Sequence, residues 1–188
     1  MHPETLDTTQ IQKLRTAIDE LAHPYAIAFD LMLEAGLRVS EVTRLRWTDL
    51  IHLGCIKTAL EVNADAAKSH RQRTIPITQR LNESIRVAWR RIIPIAFPGA
   101  GDYVTSTTTP DRPVSTRSLE RHLAKLSKKT IGLHVNPHML RHTFASRLLR
   151  VSNLEVVRAA LGHARVSTTQ IYAHTSIDDL TEAMNKVH

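Results

Sequence analysis

Apolar residues recur at helical spacing along most of the chain. Ile11, Leu14, Ile18 and Leu21 follow Asp7-Thr8-Thr9, Gln10 and Gln12, which together form a helix-start signal. A second helix is predicted from Tyr25 to Glu34, with Gly36 as its stop. A third, short helix is predicted from Ser40 through Val42 and Leu45 to about Trp47. The period then changes. Ile51, Leu53, Ile56 and Leu60 sit near two-residue alternation, and Thr74-Ile75-Pro76-Ile77 is β-branched, so two or three short strands of a small antiparallel sheet are expected. The polar stretch 64–71 between them has no apolar period and reads as a turn projecting from that sheet.

Helical spacing returns from Leu81 to Ile93, with Ile85, Ala88, Trp89 and Ile92 on one face. Residues 94–113, rich in Pro, Gly, Thr and Ser, are the longest loop candidate. A basic helix is predicted from Ser115 to Lys128, and another opens at Asn136-Pro137 and runs to about Arg150. Asn153 to Leu161, closed by Gly162, is short and helical. An amphipathic helix with Ile177, Leu180, Ala183, Met184 and Val187 on its apolar face ends the chain. The expected class is α+β, mostly α-helical with a small antiparallel β-sheet, in a single domain over 1–188.

Composition narrows the classes. At 188 residues and 42% apolar, with six Gly and eight Pro, the chain can support an ordinary core, and a disordered or collagen-like chain is excluded. No apolar run approaches the roughly eighteen residues that span a bilayer, and no signal segment opens the chain, so a soluble, cytoplasmic protein without membrane contact is expected. Cys55 is the one cysteine, which rules out an internal disulfide and a cysteine-built zinc site.

Charge changes the picture more. The net charge is +7, but residues 68–174 alone carry 18 bases and five acids, a net +13 between acidic ends. Of the 25 basic residues 18 are Arg, whose planar fork suits bidentate phosphate contact, so a nucleic-acid backbone is the expected partner ahead of a merely solvated face.

Four segments carry candidate chemistry: Ala35-Gly36-Leu37-Arg38-Val39-Ser40-Glu41; Lys68 before Arg73-Thr74-Ile75-Pro76; Pro137-His138-Met139-Leu140-Arg141-His142; and Leu161-Gly162-His163 with Tyr172-Ala173-His174. Each alone is weak. Together they supply what phosphodiester exchange without metal or cofactor requires. Fixed cations must meet the charge that develops on the non-bridging oxygens, for which Arg38 and Arg141 are candidates. A tyrosine can be both nucleophile and leaving group, conserving the bond energy so that the strand reseals without ATP; Tyr172 is that candidate. A Lys or His near the displaced 5′ oxygen can protonate it, and another His can accept the tyrosine proton. His134, His138 and His142 recur at four-residue spacing, but Pro137 interrupts the first interval and there is no His-Glu-x-x-His motif, so no metal site is expected.

From Thr8 to about Thr181 these motifs resemble the tyrosine recombinase, or phage integrase, family: Arg with Glu three later, strand-turn Lys, His-x-x-Arg, Leu-Gly-His, and Tyr nine residues on. The resemblance implies the catalytic-domain fold of that family. It also implies catalytic positions at Arg38, Lys68, His138, Arg141, His163 and Tyr172, with Glu41 supporting the first Arg or a neighbouring His. Tyr172 would form a 3′-phosphotyrosyl link, Lys68 act as general acid, His138 assist the tyrosine proton, and both Arg with His163 bind the phosphate. No cofactor is implied. Double-stranded DNA is the implied partner, with the protein a monomer without DNA and a tetramer on paired sites. Arg71, Arg73, Arg117, Arg121, Lys125, Lys128 and Lys129 are expected DNA-backbone contacts.

Two features depart from the family pattern. Ala66-Ala67 precedes Lys68 where Gly is frequent, and Val151 stands at a position commonly Gly. The family's separate N-terminal helical domain is expected to be absent, as in an excised domain or a short member similar in size to the fimbrial-switch recombinases. The expected activity is site-specific strand cleavage and rejoining in integration or excision of phage or mobile-element DNA. A catalytically silent DNA-binding regulator of the same fold, or strand relaxation of the type IB topoisomerase kind, are the alternatives. For the apolar face of the last helix, intramolecular packing and docking on a neighbouring protomer both stand.

Overall fold

The computed structural model describes residues 5–62, 72–92, 101–107, 111–162 and 177–187. Helix α1 (Thr8–Asp19) starts as its sequence dictates: Asp7 Oδ1 accepts the Gln10 N–H (2.8 Å) and Gln10 Oε1 accepts the Asp7 N–H (3.0 Å), a reciprocal cap. Helix α2 (Tyr25–Glu34) is buried over nearly its whole length, Asp30 and Glu34 included. A helix buried on every side occupies the centre of a fold, and α2 packs against α1, against α5 (Gln79–Ile92), against α6 (Thr116–Ile131) and against α7 (Pro137–Val151).

The third predicted helix divides in two, α3 (Val39–Val42) and α4 (Trp47–Leu50), so Trp47 begins a helix rather than ending one. The cause is a fresh start at Arg46. Its N–H donates to the Asp49 carboxylate (2.8 Å), and the Trp47 N–H goes to Asp102 O (3.0 Å) rather than back into a continuing helix. The strands likewise divide between two two-stranded antiparallel sheets: β1 (Ile51–His52) with β2 (Cys55–Ile56), and β3 (Ala59–Val62) with β4 (Arg73–Pro76). Leu53 and Gly54, both at positive φ, form the two-residue turn of the first hairpin.

The predicted loop 94–113 is tied down where it is described. Val104 is fully buried, its N–H donates to Leu45 O (2.9 Å), and the Val114 N–H reaches Thr105 O (3.0 Å). Helix α6 continues to Ile131, one turn beyond its predicted end, and stops at Gly132 in the left-handed conformation. Helix α8 (Leu154–Leu161) is capped by Asn153, whose Oδ1 accepts the N–H groups of Glu155 and Val156, both at 3.0 Å. Helix α9 (Ile177–Asn185) packs Leu180, Ala183 and Met184 back onto β4, α7 and α8. Among the described residues no helix is long and apolar enough to cross a membrane.

Gly36 fixes how α2 leads into α3. Its φ is +63°, and a Cβ there would lie 2.4 Å from Cδ1 of the buried Phe144 on α7. The absent side chain therefore lets the α2–α3 turn lie flat on α7, which brings Arg38 beside Arg141.

Candidate functional site

Arg38 precedes the first turn of α3, and Glu41 in that turn reaches back to it. Glu41 Oε2 accepts the Arg38 backbone N–H (2.7 Å) and Oε1 accepts Arg38 Nη1 (3.0 Å). The Arg38 side chain stays 26% exposed, whereas that of Glu41 is 1% exposed. A lone carboxylate at that depth would be expensive. It is held by Arg73 of β4, which forks onto it, Nη1 to Oε1 (2.9 Å) and Nη2 to Oε2 (2.8 Å). With two donors on each oxygen, Glu41 is saturated. Burial opposes its charge, but the hydrogen bonds and charge of Arg73, the Arg38 N–H and the charge of Arg141 outweigh burial and hold the carboxyl below its usual range.

Arg141 sits on α7, whose start is set by Asn136 Oδ1 accepting the Met139 N–H (2.9 Å) and by Pro137 in the first turn. Its guanidinium is buried and donates to Gly36 O and, through Nη2, to Leu161 O (2.7 Å). Its Nη1 lies 3.9 Å from Glu41 Oε2, close enough to feel the charge and too far to bond. Burial, then the charge of Arg38, brings Arg141 down to about 9, with Glu41 opposing and Arg73 adding to the fall; at neutral pH it remains a cation. His138, three residues earlier on α7, is exposed, and its Nε2 lies 2.8 Å from Nε2 of His142.

Arg38, His138 and Arg141 open onto one groove of about 900 Å³. Its other walls are Arg117 and Arg121 of α6, with Ser40, Thr116, His134 and Asn136 adding polar groups. Among the described lining residues the only carboxylate is Glu120, so the groove is strongly cationic. Arg38, with the fixed charge of Arg141 at the groove wall, gives such a groove cations that can stabilise the charged oxygens of a phosphate.

The profile of the phage integrase family matches residues 4–178. The chain belongs to the phage integrase family. It is 34% identical over 190 residues to a tyrosine recombinase XerC of Pseudomonas entomophila, covering 99% of this chain and 60% of that relative. The chain therefore spans less than two thirds of that phage integrase family member. In fold it is similar to the XerA recombinase crystal structure (TM-score 0.73, 24% identity, 99% of this chain and 65% of that one). A second likeness is to the lambda integrase tetramer bound to a Holliday junction (TM-score 0.62, 19% identity, 88% and 48%). The mostly helical class with small antiparallel sheets is the fold of these family structures.

Of the residues singled out in the sequence, the structure brings Arg38, Glu41, His138 and Arg141 together, with Arg117 and Arg121 along the same groove. Lys68, Arg71, His163 and Tyr172 lie outside the described residues. Lys125 and Lys129 are exposed on α6, and Lys128 donates to Gly132 O (3.2 Å) at the end of that helix. Arg73 departs from its expected place among the backbone contacts. It is 7% exposed, bonded to Glu41 and, through Nε, to Ala160 O (2.9 Å), and is not among the groove's lining residues, so it faces the interior and not a DNA strand. The signal for this lay in the strand period: Arg73 and Ile75 share the buried face of β4. His134, weighed from the sequence only as a metal ligand and set aside, lines the groove, and His142, weighed in the same way, contacts His138.

Proposed function

We propose that the chain is the catalytic domain of a site-specific DNA recombinase, cleaving and rejoining strands through a 3′-phosphotyrosyl link on Tyr172. The convergence of Arg38 and Arg141 with His138 on one cationic groove carries this reading. The roles of Lys68, His163 and Tyr172 follow from the family's motifs in this sequence.

In the proposed reaction the Tyr172 hydroxyl oxygen attacks the scissile phosphorus and its proton passes to His138. The bond from phosphorus to the 5′ oxygen breaks, Lys68 protonates that oxygen, and the 3′ end remains on the tyrosine. Attack by a 5′ hydroxyl in the reverse sense rejoins the strand with no net change in bond energy. Arg38, Arg141 and His163 bind the non-bridging oxygens, whose charge grows in the transition state. Arg117 and Arg121 hold the flanking backbone, with Arg71, Lys125 and Lys129 further candidates. The substrate is double-stranded DNA, and four copies act together on two paired sites, in integration or excision of phage or mobile-element DNA.

Tyr172→Phe is expected to bind duplex DNA as the wild type does and to form no covalent adduct on a nicked suicide duplex, with EDTA without effect on the wild-type reaction. An adduct that persists in Tyr172→Phe overturns the assignment.

A further inference from the structure

We propose that Arg73 is a positioning residue for the two groove-facing arginines: by occupying both oxygens of Glu41 it determines where Arg38 and Arg141 present their charge. This rests on the strand-transfer reading above and concerns a residue that itself never reaches the groove.

Glu41 has room for about four hydrogen bonds, and all are in use: two from Arg73 and two from Arg38, one of those from the backbone. Saturation leaves Arg141 3.9 Å away, attracted but unbonded, with its fork given to two backbone carbonyls instead. Without the Arg73 fork, one acceptor site on each Glu41 oxygen would open beside two cations. Arg141 would need to move by about 1 Å to take one, and Arg38 could take the other. Either shift draws a cation closer to the carboxylate and further from the groove.

The second anchor of Arg73 extends its reach. Its Nε holds Ala160 O (2.9 Å) while Arg141 Nη2 holds Leu161 O (2.7 Å), so consecutive carbonyls at the end of α8 are capped by arginines from β4 and α7. Gly162 makes this possible. Its φ is +63°, and a Cβ there would meet Arg73 Cδ at 2.9 Å. The start of α3, β4 and the end of α8 are thereby joined through the buried Arg73 guanidinium, and Arg141 ties α7 to the same end of α8.

Two variants separate this from a role in holding the fold together. Arg73→Lys keeps the charge and loses the fork; Arg73→Met keeps the length and loses both. On a nicked duplex with a normal scissile phosphodiester, adduct formation is expected to fall about 100-fold in Arg73→Met, with Arg73→Lys intermediate. On a duplex carrying an uncharged methylphosphonate at that position, where groove cations matter less, the fall is expected to be under about tenfold. Equal losses on both substrates overturn the proposal, as does an unchanged phosphodiester rate. A cleavage-independent reading comes from the side-chain N–H signals of Arg38 and Arg141 in the DNA-free protein, assigned with Arg38→Lys and Arg141→Lys. They are expected to shift in Arg73→Lys, and unmoved signals overturn the proposal. Shifted signals in a protein whose wild type makes no adduct support the positioning role while overturning the strand-transfer reading.

Discussion

Glu41 carries its charge almost wholly out of water because three arginines from three elements surround it. Removing one partner of such a cluster costs more than the cluster contributes, since the others are left buried and uncompensated. Glu41→Ala is therefore expected to lower the unfolding free energy by about 3–5 kcal/mol, measured by urea titration at pH 7. The pH sign follows from the depressed carboxyl: its contribution is fully present above the unfolded value of 4.5 and is lost as pH falls through the lower folded value. At the same scale, Gly36→Ala puts a methyl group into the Phe144 ring and a side chain at positive φ. A loss of about 2–4 kcal/mol is expected. Phe144→Leu in the same chain should recover part of it, so that a double-mutant cycle shows non-additivity.

Between α2 and α5 the buried polar groups oppose one another in pH. Asp30 of α2 accepts from Ser84 of α5, with Arg80 Nη2 3.8 Å from its other oxygen. Burial raises its carboxyl to about 6, with Ser84 and Arg80 pulling the other way and Glu34 and Asp19 adding to the rise. His23, just before α2, stacks on Trp47 and has Nε2 3.1 Å from Ser106 O; burial, helped by Arg91, lowers it to about 4 against that hydrogen bond. Folded Asp30 binds a proton that the unfolded chain has lost between 3.8 and about 6, so its contribution falls as pH rises there. His23 does the reverse between about 4 and 6.5, where the unfolded chain binds the proton. Each contributes about 3 kcal/mol across its window, and in the wild type the two slopes offset one another. Asp30→Asn should therefore lose stability on acidification from pH 6.5 to 4 more steeply than the wild type, and His23→Gln less steeply, in thermal melts across that range.

For the whole molecule, the net +13 of residues 68–174 is put to different uses by depth. Arg117 and Arg121 line the groove, whereas Arg73 and Arg141 spend their forks inside the protein on Glu41 and on backbone carbonyls. On the proposed DNA-binding reading, each groove-wall arginine displaces about one counterion as it meets the backbone. Arg117→Ala and Arg121→Ala are each expected to reduce the slope of log K against log salt by about 1 and to weaken duplexes of different sequence alike, measured by fluorescence anisotropy between low and moderate salt. A variant that changes preference among sequences while keeping the slope would contradict a backbone role.

Local rules written in neighbouring residues decided much of this protein. The Asp7, Asn136 and Asn153 caps, the stop at Gly162, and the apolar stripes of α1, α5 and α9 depend on side chains within a turn or two of one another, and they are legible as sequence. The Arg38–Glu41 pair and the His138–Arg141 spacing are legible for the same reason, each lying within one helical turn. Partners brought from far along the chain decided the rest. The break between α3 and α4 depends on Asp102, and the fate of Arg73 on Glu41, which lies 32 residues earlier. A basic residue looks the same in sequence whether it faces DNA or a buried carboxylate, because the desolvation that separates the two exists only after β4 has packed against α3 and α8.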